Sequence, residues 1–183
     1  QLPGLLTQKF FFNDITVELK LNIITNKTCL YQAYLINTDA TDKSVSIRLK
    51  GTAFENIGIA EEFLDGWMFK IDGKDDIFWL IRFRTDNDME MQYSETDYEF
   101  SYKELQTIHP GDTLKMVATI SQYFQGDSKH DVQIVSEALE YPQKYEENNT
   151  LYWNIINNLV ATEDDESKLL SYKSILTLFN NLR

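Results

Sequence analysis

From Ile15 to about Tyr141 this chain alternates apolar and polar side chains with a period of two residues, and beyond that point the period lengthens to three or four. Few sequence features constrain a fold more. A two-residue period puts every second side chain on one face of an extended strand, whereas a 3.6-residue period lines one side of a helix. The pattern therefore predicts a β-rich body followed by helices.

The clearest strand is Ile15, Val17, Leu19, Leu21 and Ile23 alternating with Thr16, Glu18, Lys20 and Asn22. Asn26-Lys27-Thr28 reads as a turn, Cys29 to Ile36 as a second strand, and Asn37-Thr38-Asp39 as its closing turn. Val45, Ile47 and Leu49 mark a third strand, interleaved with Ser44, Ser46, Arg48 and Lys50. Phe54 to Leu64 fits either a short helix or a loop, since Gly58 and the isoleucines weaken its helical spacing. Trp67–Ile71 and Ile77–Arg84 flank Asp72-Gly73, a pair that favours the tight turn of a hairpin, so these two strands should pair. Met89, Met91 and Tyr93 extend the sheet, and Tyr98 to Ile108 reads as a strand end with one helical turn. His109-Pro110-Gly111-Asp112 turns into the strand of Leu114, Met116, Ala118 and Ile120. Val132 to Tyr141 is read as the last strand, stopped by Pro142 because proline cannot continue a ladder.

Leu151, Tyr152, Ile155, Ile156 and Leu159 then fall at helical spacing, with Asn149 or Thr150 available as a cap. A second helix is expected after the acidic run 162–167, its stripe being Leu169, Tyr172, Ile175, Leu176, Phe179 and Leu182. Such a stripe either packs on the parent domain or enters a groove on another subunit. The expected division is a β domain over 1–142 and a helical extension over 143–183.

Composition narrows the function. A chain of 183 residues with 43% apolar side chains can bury a core of its own, and the net charge of −12 repels phosphate, which disfavours broad nucleic-acid binding. No apolar run is long enough to cross a membrane, and the start lacks the basic and apolar blocks of a signal peptide. Without an initiating Met the chain reads as a trimmed or internal fragment. Cys29 is the sole cysteine, so no internal disulfide forms, and a reducing compartment such as cytosol or nucleus is expected. The triplets Asn26-Lys27-Thr28 and Asn148-Asn149-Thr150 match a glycosylation signal of the kind a polar sequence produces by chance.

Specific catalytic signals are absent: there is no HExxH, no CxxC and no glycine-rich phosphate loop. His109 and His130 both read as solvated turn residues, and the carboxylate pairs Asp75-Asp76 and Asp164-Asp165 as solvating or capping groups. Neither a metal nor a cofactor is expected. The strand Ile77–Arg84 carries more information, because alternation puts Ile77, Trp79, Ile81 and Phe83 on a core face and Phe78, Leu80, Arg82 and Arg84 on the other. An aromatic beside two arginines can stack bases and neutralise phosphate in a single-strand groove, to which Arg48 and Lys50 would add charge. Alternatively Arg82 and Arg84 pair with nearby carboxylates such as Asp86 and Asp88.

From Tyr98 onward the order of features is a turn of helix, His109-Pro110-Gly111-Asp112, a strand carrying Leu114, Ile120 and Tyr123, a final strand and a helix. This order resembles the end of the OB domains of the replication protein A middle subunit and its telomeric relatives in the CST and shelterin complexes. The resemblance implies a closed antiparallel OB barrel with C-terminal helices, serving as a nuclear, non-enzymatic accessory subunit of a telomere or DNA-replication complex. It implies action through other protein subunits with at most auxiliary single-stranded DNA binding. Leu151, Ile155, Leu159, Leu169, Tyr172, Leu176 and Phe179 would then make the subunit contacts. The competing expectation is an extracellular β-sandwich that binds carbohydrate or protein through exposed aromatics such as Trp67. An enzyme whose catalytic residues are dispersed along the chain is a third.

Overall fold

The computed structural model describes residues 5–53, 56–63, 65–73, 76–84, 88–124 and 129–159. The first strands are β1 (Leu5–Phe12), β2 (Ile15–Ile23), β3 (Thr28–Asn37), β4 (Lys43–Val45) and β5 (Arg48–Thr52). They are followed by β6 (Ile57–Phe63), β7 (Gly66–Ile71), β8 (Ile77–Phe83), β9 (Met89–Tyr93), β10 (Asp97–Tyr102), β11 (Gln106–Ile108) and β12 (Thr113–Phe124). Two helices close the described chain, α1 (Lys129–Glu140) and α2 (Pro142–Leu159).

Among the described residues the strands form a seven-stranded sheet in the order β1-β2-β3-β12-β8-β7-β6, a three-stranded sheet β5-β10-β9 and a two-stranded piece β11-β4. All pairings are antiparallel. The large sheet is covered on both faces. Its inner face presents Ala33, Trp67, Phe69, Ile81, Phe83, Met116 and Ala118 to Met89, Phe100 and Tyr102 of the small sheet, which makes a β-sandwich. Its other face packs Leu30, Val117 and Tyr123 against Val135, Ala138 and Leu139 of α1.

Phe100 is the hub of the sandwich. Its ring lies 5.1 Å from those of Trp67 and Phe83 and 6.2 Å from that of Phe69, in tilted and edge-on arrangements that suit aromatic quadrupoles. On the helix side the contacts are more polar. Glu146 of α2 accepts bonds from Lys20 Nζ at 2.7 Å and from the fully buried Gln32 at 2.8 Å. Asn149 donates to the buried Asn22 at 2.8 Å. These bonds fix α2 over β2 and β3.

Several sequence expectations hold. The Asp72-Gly73 hairpin joins β7 to β8, and Gly73 takes the positive φ of 71° that a side chain would resist. Others need correction. The expected closed barrel is an open sandwich whose large sheet ends at β1 and β6. The expected strand Val132–Tyr141 is the helix α1, because its buried residues Val135, Ala138 and Leu139 follow a three-and-four spacing. His130 accordingly lies in a helix and not in a turn. Pro142 opens α2 at a position where its missing N–H costs no helical bond, so Thr150 is not a cap but sits inside the helix, bonding back to the Glu146 carbonyl. Phe54–Leu64 contributes the strand β6, and Tyr98–Ile108 lies in β10 and β11 with no helical turn. The single strand expected over Val45–Leu49 divides between β4, which pairs with β11, and β5, which pairs with β10.

Truncating the hub leaves a cavity that neighbouring rings cannot close. Phe100→Ala is expected to lower unfolding free energy by about 3 to 5 kcal/mol in urea titration, whereas truncating the exposed Leu151 should change it by less than about 0.5 kcal/mol.

Candidate functional site

The residues expected to form a nucleic-acid groove are not brought together. Arg48 and Lys50 lie on the outer face of the small sheet, where both pair with Glu99, at 3.5 and 2.8 Å. Phe78, Arg82 and Arg84 lie on the helix-covered face of the large sheet. Phe78 stacks on Tyr123 with ring centres 5.8 Å apart, inside the core beneath α1. Arg82 grips Asp65 through Nε, at 3.0 and 3.1 Å to the two carboxylate oxygens, and through Nη2, while Nη1 donates to Ser136 of α1 at 3.0 Å. Its guanidinium is thus spent on holding the β6–β7 turn and α1 to β8. Arg84 lines a cavity between β8 and α1 together with Arg82, Asp65 and Ser136.

Of the residues expected to contact partner subunits, Leu151 stands exposed on α2, and Ile155 and Leu159 belong to the same helix. Leu169, Tyr172, Leu176 and Phe179 lie outside the described residues. Trp67, expected as an exposed aromatic, is buried in the sandwich core. Cys29 is half-buried, and burial pushes its thiol above the usual range, which disfavours the reactive thiolate. Among the described residues no cluster of His, Cys, Asp and Glu is placed to hold a metal ion, and no helix is long and apolar enough to cross a membrane.

A groove of about 520 Å³ lies along the small sheet. Strand pairing builds it in rows: Lys50 of β5 faces Glu99 of β10, which faces Gln92 of β9, and Thr52 faces Asp97. In the intervening row, which alternation turns to the core side of the sheet, Gly51, Tyr98 and Tyr93 stand side by side. Gly51 is required there, because a β-carbon would come within 2.2 Å of the Tyr98 ring that lies across it. Tyr98 continues inward to rings of Phe69 at 5.5 Å and Phe100 at 5.7 Å, so the groove is anchored to the hub of the core. Tyr93 is 49% exposed, an aromatic surface open to a ligand. Ser94 completes the rim.

Electrostatics at the groove follow from the ion pairs. The Lys50 ammonium, bonded to Glu99 and reinforced by Arg48, holds the Glu99 carboxyl below its ordinary range, so it is an ionised acceptor at neutral pH. Thr52 donates to one oxygen of Asp97 at 2.9 Å, which orients that carboxylate. The groove is therefore lined by tyrosines from the row that turns towards the core and by carboxylate, amide, hydroxyl and ammonium groups from the alternate rows. No histidine or cysteine lines it, and of its residues the sequence pattern singled out only Lys50, as a charge for a nucleic-acid groove, because the residues come from three strands.

No family model and no curated protein matches the sequence. Among solved structures, a protein described as a kojibiose phosphorylase from the human microbiome superposes with a TM-score of 0.58 over 91% of this chain at 12% identity. This chain spans only 25% of that protein. A protein described as an aldose 1-epimerase from Klebsiella pneumoniae subsp. pneumoniae aligns with a TM-score of 0.42 at 11% identity, over 75% of this chain and 53% of that one. At 12% identity the first likeness is one of fold. It overturns the OB resemblance together with the telomere, replication and DNA-binding role drawn from it: the chain shares its architecture with a β-sandwich-containing protein and not with a closed five-stranded barrel.

Two variants test the local accounts. Gly51→Ala should displace the Tyr98 ring and cost about 1 to 3 kcal/mol, with loss of near-ultraviolet circular dichroism from the ring cluster. Asp65→Ala leaves Arg82 charged with its side chain only 14% exposed, so a loss of about 3 to 5 kcal/mol is expected. Much of that loss should return when Arg82→Met is combined with it.

Proposed function

We propose that this chain is a carbohydrate-binding β-sandwich module, built to hold a saccharide and not to transform it, and that the groove along β5, β10 and β9 is its binding surface. The observation that carries the proposal is one groove at the end of β9 lined both by the half-exposed Tyr93 and by the polar side chains Gln92, Asp97, Thr52 and Ser94. A sugar ring has an apolar face of C–H bonds and a perimeter of hydroxyls that both donate and accept. A tyrosine ring covers the former, and planar carboxylate and amide groups bond pairs of the latter. At about 520 Å³ the groove falls within the usual range of ligand sites.

The fold supports the same reading, since the sandwich recurs as a quarter of a protein described as a phosphorylase of the disaccharide kojibiose. Glu99 supports a holding role. A general acid for glycosidic bonds needs a carboxyl raised towards neutral pH, and the cations beside Glu99 push it the other way.

Titration with neutral di- and trisaccharides, kojibiose among them, followed by calorimetry and tyrosine fluorescence, is expected to give saturable binding. The dissociation constant should be on the order of 0.1 to 1 mM, as suits one shallow groove with one open aromatic. Tyr93→Ala and Asp97→Ala should each weaken it about tenfold or more while the fold stays intact. Absence of saturable binding by any saccharide, or binding indifferent to both variants, would refute the proposal.

A further inference from the structure

The two edges of the large sheet are treated very differently. β6 carries the exposed Glu61 and Glu62 and a register break between Ile57 and Ile59, both of which deter another strand from pairing with it. β1, the opposite edge, runs eight residues in unbroken register with β2 and has no acidic residue, in a chain with 29 of them. Its one charge, Lys9, is neutralised by Glu18 at 2.7 Å. Among the described residues nothing pairs with its outer side.

The same strand concentrates exposed apolar surface. Leu6 is 56% exposed, Phe10 42%, Phe11 78% and Phe12 61%. Leu6, Phe10 and Phe12 share one face of the strand and Phe11 the other, and with aromatic side chains of 150–250 Å² each they expose roughly 400 Å² of apolar area in all, within the range of the largest patch that an isolated monomer carries. It is about half of the roughly 800 Å² per partner that a stable interface buries, and the main chain and flanking polar groups can supply the rest.

We infer that β1 is the contact through which two copies of this chain associate, pairing antiparallel edge to edge so that the two seven-stranded sheets become one. The strand is complementary to itself. With the twofold axis at Gln8, Phe10 of one copy stands opposite Leu6 of the other, Gln8 opposite Gln8, and Lys9 opposite Thr7, so no like charges meet. Moving the axis to Lys9 would set two ammonium groups against each other.

Sedimentation of the full chain from micromolar to submillimolar concentration should show a monomer–dimer equilibrium. Leu6→Lys combined with Phe10→Lys should weaken it at least roughly a hundredfold, since lysines would then face one another across the axis. As a reading of register that does not depend on that variant folding, Gln8→Cys in a Cys29→Ser background should form an intermolecular disulfide under mild oxidation, and Phe12→Cys should not. A chain that remains monomeric throughout, a dimer insensitive to the paired lysines, or cross-linking at position 12 in preference to position 8 would each overturn the inference.

Discussion

Met116, Val117 and Ala118 are consecutive residues of β12, and all three are buried. Successive side chains of a strand point to opposite faces, so a run of this kind can exist only where the sheet is covered on both sides. β12 therefore sits at the centre of the large sheet, between β3 and β8, with the small sheet against Met116 and Ala118 and α1 against Val117. The three-layer arrangement follows from that constraint. Antiparallel sheets commonly leave one face in water, and here the second face is closed by α1 through apolar contacts and by α2 through polar ones. Buried Gln32 bonds to Glu146 of α2 and the buried Asn22 carbonyl accepts from Asn149, while the Asn22 amide nitrogen is left without a partner among the described residues. Leaving such groups without partners would cost about 1 to 3 kcal/mol each.

Cover on the inner face is incomplete for a geometric reason. Strands lie about 4.8 Å apart, so three of them span roughly 10 Å between outer axes while seven span roughly 29 Å. Ring contacts at Phe100 hold the small sheet over β7, β8 and β12, leaving the side of β1 and β2 thinly covered. Exposure rises accordingly, from the fully buried Ile81 to Ile23 at 36% and Phe10 at 42%. The apolar edge at β1 is a consequence of where the hub clamps the sandwich.

Much of the β body was legible because alternation reports burial of one face. Ile15–Ile23 and the β7–β8 hairpin emerge directly, the second through Asp72-Gly73. Reading failed where two faces are buried or where residue type misleads. In α1 the β-branched Val132, Ile134 and Val135 suggest a strand, yet the buried positions 135, 138 and 139 are one turn of helix apart, and tertiary packing decides between them. β1 escaped because Phe10-Phe11-Phe12 hides its alternation. Whether the strands close into a barrel or stack as a sandwich depends on which strands are neighbours, and β3 pairs with β12 across some eighty intervening residues that carry no local mark of it.

The candidate site was illegible for a related reason. A sequence presents Arg82 and Arg84 beside Phe78 as a cationic aromatic strip, and that chemistry would hold only if the strip faced solvent. Asp65, from the β6–β7 turn, and Ser136, from α1, convert it into an internal brace. The groove residues carry no such signal: Gln92, Asp97 and Thr52 are unmarked in the sequence, and only the pairing of β5, β10 and β9 brings them into one groove with Tyr93. Ion pairing with Lys50 and Arg48 keeps Glu99 ionised and acceptor-only, and an open, solvated groove lacks the apolar enclosure that raises a carboxyl enough to deliver a proton. On the saccharide-binding role proposed above, such a surface would hold its ligand through many weak, geometrically matched hydrogen bonds together with contact on an aromatic ring.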